Sequence, residues 1–140
     1  MRLTSVPGRV RLSIHRRPTH TVLAIHGELD PTTTASLRER LLIALHRTTL
    51  PVIVDLSGVS HGDAAGLAPL IGARRRGQLR GISVSLAAPR PYLSRLLRTT
   101  GLHRAFAIYP TVAAAEKYVG RVIPPPHVPL GNSQPGRQSA

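Results

Sequence analysis

The chain has 140 residues, no cysteine, 13 prolines and a formal net charge of +13, from 19 basic against 6 acidic residues. That length supports one compact domain with a genuine core and is too short for two ordinary ones, and without cysteine there is neither a disulfide framework nor a thiolate metal site. No apolar run approaches the roughly 18 residues of a membrane span, and the first residues lack the apolar stretch of a secretory signal, so a cytoplasmic protein is the expectation.

Val10 to Ile14 alternates apolar and polar residues, and Val22 to Ile25 is a second apolar run. The segment Arg16-Arg17-Pro18-Thr19-His20 between them reads as a turn, which predicts an antiparallel hairpin. Asp30-Pro31 reads as an N-cap followed by proline at the first helical position, where its missing N–H costs nothing. The helix predicted from about Pro31 to Arg47 sets Leu37, Leu41, Ala44, Leu45 and Thr48 on one apolar face. Pro51 breaks that pattern and opens a strand, Val52 to Leu56, whose unbroken apolar character suits a central parallel position.

A turn at Asp63 leads into a second helix ending near Gly77 or Gly81, with Leu67, Leu70 and Ile71 inward. Pro69 is tolerated if that helix starts near Ala65 and costs a backbone bond if it starts at Asp63. Ile82 to Ala87 reads as a strand, Ser94 to Thr99 as the heart of a third helix closed by Gly101, Phe106 to Tyr109 as a short strand and Thr111 to Val119 as an Ala-rich helix. Right-handed crossovers follow from this alternation. The expected fold is α/β, with a mixed, mostly parallel β-sheet, an N-terminal antiparallel strand and about four helices.

Residues 9–119 are expected to form the domain, preceded by a flexible terminus, 1–8, and followed by a disordered Pro-rich tail, 120–140. In that tail Pro124-Pro125-Pro126, Pro129 and Pro135 leave little to bury. Pro126 to Pro129 spells P-x-x-P, a pattern that arises readily in such tails. No repeat at a solenoid period is present.

An excess of positive charge suits an acidic partner, and a basic nucleic-acid-binding module is the rival from a different class. Only three Tyr and one Phe are available for base stacking, and no nucleic-acid motif appears, which counts against it. Lys117 is the one lysine and Asn132 the one asparagine, a bias that a GC-rich coding sequence produces without any partner. Arg74-Arg75-Arg76 and Arg80 fall toward the end of the second helix, where cations suit the dipole; three consecutive residues cannot share one face, so this reads as a solvated helix end.

Glu28, Asp30, Asp55 and Asp63 are expected at or near the carboxyl ends of strands, the edge where partners of parallel sheets dock. An Arg-bearing partner could recognise such an acidic island, while Asp30 and Asp63 are equally explained as helix caps. His26, Asp30, His61 and Asp63 lack the fixed short spacing of metal ligands, so neither a metal nor a cofactor is expected. Ser57, Ser60 and His61 come with no G-x-S-x-G elbow and no third orienting group, so no enzyme is expected.

Gly27-Glu28-Leu29-Asp30, Asp55-Leu56-Ser57-Gly58-Val59 and the Asp63-x-x-Gly66-Leu67 turn, at these distances, resemble the STAS family in its anti-sigma-factor antagonist (anti-anti-sigma factor) form. Arg95-Leu96-Leu97, Thr100-Gly101-Leu102, Phe106 and the Ala-rich last helix extend the likeness over roughly residues 9 to 119. The resemblance implies a non-enzymatic regulatory domain whose partner is an anti-sigma factor with a histidine-kinase-like ATPase domain, and it leaves a homodimer open. It also implies docking through Asp30, Asp63, Ala64, Gly66 and Leu67, with Leu67 contributing apolar contact if exposed. In the family the residue after the motif aspartate is usually a phosphorylatable Ser or Thr, and here it is Ala64, followed by Ala65. Thr32, Thr33, Thr34, Ser57 and Ser60 are the hydroxyls near enough to substitute. Members of the family also serve in transport and sensory assemblies.

Overall fold

In the computed structural model, which describes residues 10–119, β1 (Val10–Arg16) and β2 (Thr21–Leu29) form the antiparallel hairpin. Parallel to β2 run β3 (Val52–Gly62), β4 (Val84–Ala87) and β5 (Ile108–Tyr109), in the spatial order β1-β2-β3-β4-β5. Helices α1 (Thr34–His46), α2 (Ala68–Leu79) and α3 (Pro91–Thr99) make the crossovers, and α4 (Val112–Val119) follows the last strand. The fold class is the expected one: a mixed five-stranded sheet with four helices.

Because the spatial order repeats the chain order, crossovers of one hand all land on one face. Leu23 and Ile25 of β2, Val52, Val54 and Leu56 of β3 and Leu86 of β4 meet Leu37, Leu41 and Leu45 of α1, Leu70 and Ala73 of α2, and Leu93 and Leu97 of α3 there. The alternate residues Val22, Ile53, Ala87 and Tyr109 face the other way and are covered by α4 through Ala115. His20 Nε2 lies 2.9 Å from Glu116 Oε2 of α4, and the Tyr109 and Tyr118 rings stack at 5.5 Å, so the second half of α4 is fastened by two side-chain contacts. Among the described strands the order never reverses, so there is no switch-point crevice of the kind that holds small ligands in open α/β sheets.

Several element boundaries differ from the sequence reading. The first helix starts at Thr34, not Pro31, because residues 31–33 form a hydrogen-bonded turn of their own. The largest difference lies in β3, which continues past the expected end at Leu56 through Ser57 to Gly62; β2 likewise runs on past Ile25 through Gly27 and Glu28 to Leu29. Two register shifts make this extension, since Ala24 pairs with Asp55 but His26 with Gly58, and Gly27 with Val59 but Glu28 with His61. Each shift inserts one extra residue in β3, a bulge that resets which side chains point inward. Leu56 and Val59 are therefore both fully buried although three positions apart. Gly58 sits at the first shift, and a Cβ there would lie 2.4 Å from His26 Nδ1 and 2.8 Å from the Ile25 carbonyl oxygen.

The second helix opens with a 3-10 turn, Ala65–Leu67, before α2 begins at Ala68. Pro69 thus falls in the first turn of α2 and removes no helical hydrogen bond. Ile71 faces solvent at 38% exposure, contrary to its expected inward position, because Leu70 and Ala73 take the buried side. β4 starts at Val84 and β5 at Ile108, each two residues later than expected. The expected flexible terminus 1–8 and the Pro-rich tail 120–140, with its P-x-x-P, lie outside the described residues.

Candidate functional site

The carboxyl ends of β2 and β3 carry the three motif segments to one edge. At the end of β2, the Asp30 carboxylate accepts from the Thr32 amide (2.8 Å) and the Thr32 hydroxyl (2.5 Å). Thr33, only 1% exposed, closes the same turn: its hydroxyl accepts from the Asp30 amide at 3.1 Å and donates to the Glu28 carbonyl at 3.0 Å. Asp30 therefore caps a turn that precedes α1 rather than α1 itself. The role of Thr33 escaped the sequence reading, which weighed it only as a hydroxyl near the edge. Its position three residues after Asp30 was the available signal, because that spacing lets a side chain reach back to the capping residue.

Asp63 is exposed and opens the 3-10 turn. Its amide donates to the Leu29 carbonyl (3.0 Å), while its Oδ1 accepts from the Gly66 amide (2.9 Å). The turn is thus stitched to β2 from outside and capped from within. Gly66 packs against the same place on β2, which explains its residue type: a Cβ on it would lie 1.9 Å from the Leu29 carbonyl oxygen and 2.6 Å from the Asp30 nitrogen. The close backbone approach expected at Gly66 is real, and it is made within the chain. Leu67 is 0% exposed and belongs to the main core, so it cannot supply apolar contact to a partner; it anchors the turn beneath. Ala64 and Ala65 are exposed, next to the Asp63 carboxylate.

Of the expected docking residues, Asp30, Asp63 and Ala64 therefore reach the surface, and Gly66 and Leu67 are buried supports. Asp55 is half-buried, its Oδ1 accepting from the Ser57 amide (2.9 Å). The rim beyond β3 is built by the start of α3: Arg90 Nε donates to the Ser57 carbonyl (3.0 Å), and the His61 and Tyr92 rings stack at 6.4 Å with 19° between planes. Burial pushes the Tyr92 phenol above its ordinary value, with Arg90 pulling the other way. His26 lies against Gly58 and His61 against Tyr92. Among the described residues, no three His, Asp or Glu side chains gather as a metal-binding group. Nor does any helix among them have the length and apolarity to cross a membrane. Ser60 Oγ donates to the Gly27 carbonyl (3.3 Å), binding the two strand ends together.

The site is thus a glycine-clamped aspartate turn beside the end of the second strand of a mixed sheet whose strands lie in chain order. The family model of the STAS domain matches residues 11–115, and the chain belongs to that family. It is 33% identical over 97 residues to a Mycobacterium tuberculosis protein named as an anti-anti-sigma factor, the match spanning 66% of each chain and so just under two thirds of that relative. Among solved structures it is similar to an anti-sigma factor antagonist of Thermotoga maritima, with a TM-score of 0.72, 20% identity and coverage of 79% of this chain and 95% of that one. It is also similar to the Bacillus antagonist SpoIIAA in its unphosphorylated form, with a TM-score of 0.63, 18% identity and coverage of 80% and 99%. At these identities the structural likenesses establish the fold.

Proposed function

We propose that this STAS domain is an anti-sigma-factor antagonist that works by binding and catalyses nothing. Its partner is an anti-sigma factor of the histidine-kinase-like ATPase type, which releases its sigma factor when the domain docks. The observation that carries this reading is the exposed Asp63-Ala64-Ala65 turn, held in place by the Asp63-to-Leu29 hydrogen bond and the Gly66 contact. A rigid, solvent-facing turn with a fixed carboxylate is suited to charge-assisted recognition of an arginine-bearing surface. The name borne by the mycobacterial relative points the same way.

Ala64 gives the reading its regulatory content. SpoIIAA exists in phosphorylated and unphosphorylated forms. A phosphate adds nearly two negative charges, which beside Asp63 would disrupt an interface formed around that carboxylate. A methyl group cannot accept it, and we read Ala64 as standing where the acceptor hydroxyl stands in phosphorylated relatives. The domain is then either a constitutive binder, controlled by its synthesis or by a ligand, or a scaffold whose partner never phosphorylates it. Of the neighbouring hydroxyls, Thr33 is buried and committed to its turn, which removes it as a substitute.

The test begins with copurification from the native cell to identify the kinase-like partner. Parent, Asp63→Arg and Ala64→Ser proteins are then incubated with that partner and ATP, and phosphate is mapped by mass spectrometry. Binding lost in Asp63→Arg, with modification confined to the serine variant, supports the reading. Stoichiometric phosphorylation of the parent with loss of binding overturns the claim that the switch is absent.

A further inference from the structure

We propose that the surface running from β1 across α1 to α2 is a second docking face, which takes an acidic segment of a protein partner anchored by apolar side chains. Among the described residues the exposed large apolar side chains are Ile14, Ile43, Ile71 and Leu79, all on β1, α1 and α2; Ile43 is 49% and Leu79 75% exposed. Two depressions adjoin at Ile43 and Arg47. One lies between β1 and α1, about 160 Å³, with Leu12, Ile14 and Ala44 lining it. The other, about 390 Å³, lies between α1 and α2, where Leu42 and His46 face Arg76.

The surrounding charge is one-sided. β1 and α2 contain no acidic residue, and α1 contains only Glu39, one turn before Ile43. Arg47 and Arg76 flank the larger depression. Arg80 donates through Nη1 to the Leu45 carbonyl and so bridges the ends of α1 and α2. The two depressions lie toward the carboxyl end of α1 and beside Arg76 in the last turn of α2, with Ile71 outside them, whereas Asp30 and Asp63 lie at the opposite ends, so both faces can be occupied at once.

Charge selects the occupant. A second copy docked through this same face would set arginines against arginines, and neither residues 1–9 nor residues 120–140 contain an Asp or Glu with which the chain could cover its own face. A nucleic acid would meet no Phe, Tyr or Trp here, and His46 alone is no platform on which successive bases could stack. A lipid surface would match the charge but has no use for two separate hollows. An acidic segment with apolar residues at helical spacing fills both hollows and pairs its carboxylates with Arg47 and Arg76.

The experiment uses the full chain and a fluorescent Glu-rich peptide of about four helical turns with leucines on one face, alongside a permuted peptide of the same composition. Vesicles of phosphatidylglycerol are assayed in parallel. Saturable binding of the amphipathic peptide is expected, weakened at least about tenfold by Ile43→Ser and by Arg76→Glu, with unchanged thermal melting, and weaker for the permuted peptide. Equal binding of the permuted peptide, unaltered affinity in both variants, or binding to the vesicles without binding to the peptide would each overturn the proposal. Retention of the anti-sigma partner by Arg76→Glu separates this face from the Asp63 edge.

Discussion

The Leu29 carbonyl oxygen occupies the space that a side chain at Gly66 would need, 1.9 Å from the position of its Cβ. Backbone, not a movable side chain, stands on the opposing side, so the turn must shift to admit even a methyl group. Gly66→Ala should lower stability by about 1–3 kcal/mol, the usual cost of overpacking, read as a lower urea midpoint. Gly72 is the control within α2, because nothing lies within 4 Å of its added Cβ. Gly72→Ala should gain about 0.5–1 kcal/mol from helix propensity alone. Equal stability of the two variants would show that the turn is not clamped.

Asp63 has a capping role and a charge, and two substitutions separate them. Asn keeps an oxygen for the Gly66 amide, whereas Ala removes it. Asp63→Ala should cost about 0.5–2 kcal/mol and Asp63→Asn only a few tenths, of order ~0.3 kcal/mol. Partner binding should fall in both, because both lose the carboxylate. Full binding by Asp63→Asn would mean that charge is not what the partner reads.

Tyr109, buried under α4, is pushed up to about 12 from an ordinary value of 10.0, by burial first and by the neighbouring Tyr118 second. The unfolded phenol loses its proton first, so between those two pH values the folded state holds more protons and stability falls as pH rises. Below the lower value this group contributes no pH dependence. The loss should reach at most roughly 2–3 kcal/mol, followed by urea midpoints from about pH 9 to about pH 12. Tyr109→Phe should flatten that slope; an identical slope in the variant would assign the alkaline transition elsewhere.

His20 and Glu116 join the start of β2 to the last helix, at 2.9 Å, with the glutamate side chain 35% exposed. A double-mutant cycle of His20→Ala and Glu116→Gln should return a coupling of about 0.2–1 kcal/mol, the range of partly solvated pairs. Zero coupling would leave the fastening of α4 to its apolar contacts alone.

We also propose that residues 9–119 are the cooperative unit. A chain ending at Gly120 should then melt within a few degrees of the full-length protein in a calorimetric scan. A large drop in melting temperature would mean that the proline-rich segment contributes to the folded domain.

The apolar periodicities of the sequence carried the fold well wherever one face of an element is buried throughout. Leu37, Leu41, Ala44 and Leu45 repeat at helical spacing and all point into the core. The reading failed at the end of β3, and for an identifiable reason: the extra residue at its first register shift puts Leu56 and Val59 on the same side three positions apart, which no period-two pattern contains. At the site, Asp30, Asp63 and Gly66 were legible as motif positions, but whether Gly66 and Leu67 face a partner or their own chain is decided by the Leu29 backbone, distant in sequence. Thr33 went unrecognised because a hydroxyl in a turn has many bland explanations, and only its burial separates them.

The strands lie side by side in the order in which they are synthesised. Each new strand emerges to find its neighbour already present, and no strand is left holding a gap for one still to come. The sheet can therefore assemble progressively at the ribosome, its growing edge always the most recent strand, with pairings closer in sequence than a sheet with reversed order would allow. Nascent chains halted once β3 and α2 have emerged should already resist protease between β1 and β3, long before the residues that cover Tyr109 exist.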